Sequence, residues 1–236
     1  MKLGLLGYPI THSLSPKLYQ TFIPSELESY ELFSYSNPAD VPPLSYFSSK
    51  LDGLNITAPY KKHFIKQIEI HSSLVKTIGA ANCLAFPGDG RVIGTNTDLL
   101  AVVEILKNYL STYPTLKIIL LGDGVMAHVT KLVAEDLKIS LSQFSRKTHP
   151  DLSRLDVASL NKNGVQTLII NSCSRDFVFQ GPVSGDEIFW DYNYSFIPHQ
   201  NSLPSLVKAY HDGQEMLELQ AKAAIKFWKE VILKLK

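Results

Sequence analysis

Lys117-Ile118-Ile119-Leu120-Leu121-Gly122-Asp123-Gly124-Val125-Met126-Ala127 is the stretch that decides the fold. Ile118 to Leu121 form a continuous apolar run, as expected of a strand buried on both faces in a parallel sheet. Two glycines follow, one residue apart, and a helical pattern runs on to about Leu137. Strand, glycine turn and helix make the opening of a βαβ unit. Ser140 to Phe144, Thr167 to Asn171 and Glu187 to Asp191 read as further strands. The alternation predicts a Rossmann-like, doubly wound α/β domain. Ser202 to Tyr210 reads as a helix that Asp212-Gly213 ends.

Gly122, Gly124 and Ala127 satisfy the pattern G-x-G-x-x-G/A between a strand and a helix. Glycines there let the backbone approach a pyrophosphate at the helix N-terminus. An acidic residue after the next strand would suit the ribose hydroxyls of NAD. Arg146 and Lys147 stand there instead, and a basic pair suits the extra phosphate of NADP. A plain strand–helix turn beside two surface cations satisfies the same pattern.

Upstream, Lys2 to Leu6 reads as a first strand, not a signal peptide, because no small-residue cleavage site follows. Ser15 before Pro16 is a fitting N-cap and first helical residue. Ser13 and Ser15 beside a helix N-terminus suit a carboxylate, and they equally suit capping and turning. Tyr30 to Tyr35 is a second strand, and Pro38 to Phe47 is turn and short helix. Gly53 to Ile56 is a third strand. It leads into Asn55-Ile56-Thr57-Ala58-Pro59-Tyr60-Lys61, where Pro59 suits the first turn of a helix. Strand, turn and helix would gather Asn55, Thr57 and Lys61 around one space. A capped helix with a solvated lysine has the same sequence.

Ala80 to Phe86 and Arg91 to Ile93 flank Gly88-Asp89-Gly90, a hairpin signal. Asn96-Thr97-Asp98 precedes a helix whose apolar stripe is Leu99, Val102, Val103, Leu106 and Leu110. Thr97 suits its N-cap and Asp98 its first turn; capping and a functional role both fit. A last helix runs from Met216 to Leu235, with Leu217, Ala221, Ala224, Ile225, Trp228, Val231, Ile232 and Leu235 on one stripe and Gln220 at its edge.

The chain has 236 residues, 45% hydrophobic and 19% charged, with a formal net charge of +1. Those values suit one large or two small globular domains and give no pull toward nucleic acid or an anionic membrane. No apolar run is long enough to span a bilayer. Two cysteines, Cys83 and Cys173, and seven scattered histidines make no metal-ligand spacing, so no metal is expected. A cytoplasmic setting is the expectation.

These segments, in their order, resemble the shikimate dehydrogenase family over nearly the whole chain. Tyr8 to Pro16 is similar to the family's substrate-carboxylate segment, and Asn55 to Lys61 to its catalytic-lysine segment. Ala80-Ala81-Asn82, Asn96-Thr97-Asp98 and Gln220-Ala221 follow in the family's order, and Asp191 with Tyr194 fits the strand end before the last of them.

The resemblance implies an N-terminal α/β substrate domain, 1–97 plus 214–236, and a Rossmann-like NADP-binding domain, 98–213. It implies a monomer or homodimer catalysing reversible NADPH-dependent reduction of 3-dehydroshikimate to shikimate, a step of aromatic amino-acid biosynthesis. Ser13 and Ser15 would hold the substrate carboxylate. Thr57, Asn82, Asp98, Tyr194 and Gln220 would hold the rest of the substrate, with Lys61 and Asp98 at the reacting oxygen. Gly122, Gly124, Ala127, Arg146, Lys147 and Asn171 would hold the cofactor.

The chain departs from the family pattern mostly in the cofactor half. Val125 replaces a glycine of the nucleotide turn, Asp123 places a negative charge there, and Glu215 stands where a glycine often faces the nicotinamide. The loop Asn171-Ser172-Cys173-Ser174-Arg175 keeps only its leading Asn. Leu99 replaces a usual glycine and Tyr19 a usual histidine. Two alternatives follow: a shikimate-binding protein with a degraded nucleotide site, or a quinate/shikimate dehydrogenase using NAD.

Overall fold

The structure is a computed structural model that describes residues 1–161 and 164–233. The chain divides into two compact units, one of Met1–Leu100 with the chain from Glu218 onward, the other of Ala101–Leu217.

The first unit is built on a mixed sheet. Its elements are β1 (Lys2–Gly7), α1 (Ser15–Phe22), β2 (Ser29–Ser34), α2 (Leu44–Ser48), β3 (Gly53–Ile56), β4 (Glu69–Ile70), α3 (Ser73–Ile78), β5 (Cys83–Ala85), β6 (Ile93–Thr95) and the start of α4 (Thr97–Thr112). The strand order is β2-β1-β3-β5-β6-β4. β1 pairs parallel with β2 and β3, while β5 runs antiparallel to both β3 and β6. The Gly88-Asp89-Gly90 turn joins β5 to β6, with Gly88 and Gly90 at positive φ. One apolar cluster packs Leu54 and Leu84 with Phe47 and Phe64. Another packs Tyr19 and Cys83 against Ala221, Ala224 and Trp228 of the final helix, α7 (Gln214–Leu233). Gly53 is obligatory there: a Cβ on it would lie 2.4 Å from Trp228 Nε1. That nitrogen donates to Leu84 O at 2.7 Å, so the burial of the large indole is also polar-satisfied.

The second unit carries β7 (Leu116–Leu121), α5 (Val125–Asp136), β8 (Ser140–Phe144), β9 (Gln166–Asn171), β10 (Ile188–Asp191), α6 (Ile197–Ser202) and β11 (Ala209–His211). The strands pair in parallel throughout, in the order β11-β10-β9-β7-β8. Strand order reverses between β7 and β9, the place where open α/β sheets bind ligands at the carboxyl ends of their strands.

Several segments differ from the sequence reading. Residues 202–210 are not a helix: α6 stops at Ser202, ahead of Pro204, and Ala209–His211 becomes β11, completing the sheet beside β10. Proline two residues on cannot continue a helix, and an open strand edge rewards pairing. No α-helix follows Pro59, only a 3₁₀ turn over Tyr60–Lys62. A helix there would place Lys61, Lys62 and His63 at its positive end. α1 begins at Ser15 with Leu14 at its N-cap, and Ser13 Oγ accepts the Ser15 N–H at 3.3 Å. On α4, Ala101 and Ile105 join Leu99, Val102 and Leu106 in the core, whereas Val103 and Leu110 are half-buried. Leu235 of the expected α7 stripe lies outside the described residues. Among the described residues no helix is long and apolar enough to cross a membrane.

Candidate active site

The short turn after β3 brings Lys61 to the start of α4. Lys61 Nζ lies 2.8 Å from Asp98 Oδ2, with the two side chains only 14% and 10% exposed. The position of the lysine is fixed by its own backbone, since Lys61 O accepts the Ala81 N–H at 2.8 Å. Asp98 is fixed by the helix it opens. Asn96 caps that helix, its Oδ1 accepting the Leu99 N–H at 3.1 Å and its Nδ2 donating to Ala80 O at 3.0 Å. Thr97, the expected cap, uses its hydroxyl elsewhere.

That hydroxyl joins a chain of polar side chains. Asn82 Nδ2 donates to Thr97 Oγ1 at 3.0 Å, Asn82 Oδ1 accepts the Thr97 N–H at 2.6 Å, and Thr97 Oγ1 lies 3.3 Å from Gln220 Oε1. Tyr30 Oη donates to Asn55 Oδ1 at 3.0 Å, and Asn55 Nδ2 faces Asn82 O at 3.5 Å. Thr57 follows at the end of β3 with its methyl against Gly7, where a Cβ would come within 2.3 Å. Ser15 is buried on the first turn of α1 and Ser13 is half-buried beside it. The first unit therefore gathers a buried ammonium–carboxylate pair and a set of amides and hydroxyls, the donor set a polyhydroxylated acid requires.

The second unit presents the glycine turn at the carboxyl end of β7. Gly122 has φ +117° and a Cβ there would lie 2.5 Å from Ser172 Oγ, so only glycine fits. Space around Gly124 is open, and it precedes α5 without any side chain capping the helix. The free approach to an uncapped helix N-terminus is what a diphosphate needs. Ala127, near the start of this helix, is fully buried. Asp123 Oδ2 lies 2.7 Å from Lys147 Nζ, and Arg146 lies 3.8 Å from Asp176. Asn171 is buried, its Nδ2 donating to Asp191 Oδ1 and its Oδ1 accepting the Cys173 N–H. Its amide thus shapes the loop after β9. Tyr194 follows β10, and its carbonyl accepts from Arg175 at 2.7 Å. Among the described residues no group of three His, Cys, Asp or Glu side chains could hold a metal ion.

Residues 5–84 match the family model described as the shikimate dehydrogenase substrate binding domain. Curated relatives named shikimate dehydrogenase (NADP(+)) include one from Exiguobacterium sp., 32% identical over 143 residues, covering 59% of this chain and 54% of that protein. Another, from Oceanobacillus iheyensis, is 26% identical over 264 residues and covers 97% of this chain and 92% of its own length.

The chain is similar in sequence to shikimate dehydrogenases over nearly its whole length. The solved shikimate dehydrogenase of Aquifex aeolicus has the same fold, with a TM-score of 0.75 at 24% identity, covering 100% of this chain and 97% of that one. A shikimate 5-dehydrogenase from Thermus thermophilus, solved in complex with NADP(H) and shikimate, gives a TM-score of 0.69 at 19% identity and covers 100% of both chains. As in shikimate dehydrogenases, an α/β substrate-type domain accompanies a Rossmann-like one. Sequence reasoning missed Tyr30 and Thr97 as members of the polar network and Asn96 as the cap of α4, and it placed Asn55 near Lys61 without its link to Asn82. A buried amide in an otherwise apolar strand is the available signal for Asn55. Nothing local marks Tyr30, whose partner is 25 residues away.

Proposed function

We propose that this chain is an NADP-dependent shikimate dehydrogenase that reversibly reduces 3-dehydroshikimate to shikimate. The observation that carries the reading is the buried Lys61–Asp98 pair, at 2.8 Å, set among hydroxyl and amide side chains in a chain related to those enzymes. Ser13 and Ser15 would take the substrate carboxylate, and Thr57, Asn82, Asp98, Tyr194 and Gln220 its oxygens.

Reduction of a ketone leaves negative charge on oxygen. An ammonium at that oxygen stabilises the charge and delivers the proton, so Lys61 acts as the acid in one direction and the base in the other. Asp98 orients Lys61 and accepts from a substrate hydroxyl. Low exposure strengthens both interactions relative to water. A nicotinamide cofactor, when bound, supplies or accepts the hydride. The turn fits its diphosphate, because Gly122 closes against Ser172 while Gly124 leaves the backbone approachable. Arg146 and Lys147 would take the ribose phosphate.

A shikimate-binding protein with a weakened nucleotide site is the second reading, favoured by the carboxylate of Asp123 within the turn. Absorbance at the reduced-nicotinamide band, with shikimate and either NADP⁺ or NAD⁺, separates the two. Growth of the band with NADP⁺ supports the enzyme. No band with either cofactor, beside thermal stabilisation by shikimate, selects the binding protein.

A further inference from the structure

We propose that Asp123 competes with the 2′-phosphate of the dinucleotide for Lys147, and so holds down this chain's preference for NADP over NAD. The inference rests on the cofactor reading above. Asp123 stands in the middle of the glycine turn, and its Oδ2 lies 2.7 Å from Lys147 Nζ. Lys147 comes from the segment that follows β8, so two loops at the carboxyl ends of neighbouring strands are tied by one ion pair. The side chains are 43% and 84% exposed, so the pair is solvated and weak, and an incoming phosphate can take the lysine from it.

The two dinucleotides meet this pair differently. A ribose 2′-hydroxyl carries no charge and leaves Lys147 on Asp123. A phosphate monoester carries nearly two negative charges and draws the ammonium away. Asp123 is then left uncompensated at a turn whose uncapped helix is ready for anions. The cost falls on NADP alone. The second cation of the basic pair is placed alike, with Arg146 Nη1 at 3.8 Å from Asp176 Oδ2. A carboxylate that merely repelled the diphosphate would weaken both dinucleotides equally, because both carry one. Competition for Lys147 therefore has its own signature, a change in the ratio of the two affinities.

Isothermal titration of NADP⁺ and of NAD⁺ into the full chain and into Asp123→Asn, Lys147→Met and the double variant reads that ratio without turnover. Thermal melting confirms that each chain is folded; both side chains are exposed, so folding is not at stake. Asp123→Asn is expected to tighten NADP⁺ about fivefold, the scale of one solvated charge–charge contact, and to move NAD⁺ by less than about twofold. In the Lys147→Met background, Asp123→Asn is expected to leave the ratio of the two affinities unchanged. Equal tightening of both dinucleotides, or none of NADP⁺, overturns the proposal. If neither dinucleotide binds any of the four folded chains, the cofactor reading itself fails and takes this inference with it.

Discussion

At the scale of single residues, the resemblance to the shikimate dehydrogenase family led to expecting Lys61 beside Asp98, and the structure pairs them at 2.8 Å. Local residue type alone left Lys61, Asp98 and Gln220 open to capping and surface roles. The roles of Tyr30 and Asn96 were not legible, since bracing and capping depend on partners that only folding supplies. Lys61→Ala removes the ammonium from a largely buried pair. Its kcat should fall by at least about 100-fold, the range of general acid–base contributions. The variant should also lose stability, because a buried carboxylate is left without its partner. Turnover is therefore measured well below the variant's melting temperature, and near-normal kcat there would rule the role out. Tyr19 offers a test unrelated to catalysis. It is fully buried and stacked at 5.0 Å on Tyr30. Burial, then the neighbouring Tyr30 and Cys83, push the Tyr19 phenol well above its usual range. The folded chain keeps a proton that the unfolded chain sheds near pH 10, so stability holds below that pH and falls above it. Tyr19→Phe should flatten the fall between about pH 9 and pH 11; an unchanged slope would count against it.

At the scale of elements, the strands of the second unit were readable because each is a run of apolar residues closed by a turn. The segment 202–210 was not, because its helical composition yielded to the pairing of Ala209–His211 with β10, a tertiary preference. What holds α6 against that sheet was equally silent in sequence. His199 and Asp191 are both fully buried, and His199 Nδ1 lies 2.5 Å from Asp191 Oδ2. The Phe179 N–H donates to His199 Nε2 at 2.8 Å, so Nε2 is the acceptor and Nδ1 carries the proton toward the carboxylate. Asn171 and Asn193 donate to the other carboxylate oxygen. Every polar atom of the imidazole is used, and a spacing of eight residues between strand end and helix gives no pattern to detect. His199→Ala would leave the Phe179 amide and one Asp191 oxygen buried without partners. Unfolding in urea should show a loss of about 3 kcal/mol, larger than an ordinary surface change. A loss under about 0.5 kcal/mol, the surface range, would mean the network is not holding α6.

At the scale of the whole molecule, the sequence reading split the chain after 97 and after 213, whereas the compact units part after Leu100 and after Leu217. Both crossings fall inside helices, α4 and α7, and a continuous helix shows no break in composition where it passes from one core to another. The division has a measurable consequence, because each proposed ligand has its own set of backbone amides to protect. Shikimate should slow hydrogen exchange in 13–19, 57–63 and 95–99, where Ser13, Ser15, Lys61 and Asp98 stand. NADP⁺ should slow it in 122–128, where the turn meets the uncapped start of α5, and in 145–148. Exchange of amides reports the local opening that a bound ligand opposes, so protection follows the site and not merely the overall stability. Protection of the first set by shikimate, with no protection of the second by either dinucleotide, would select the binding protein over the enzyme. Protection of neither set at millimolar ligand would remove both readings, because a binder and an enzyme alike must hold the acid in the first unit.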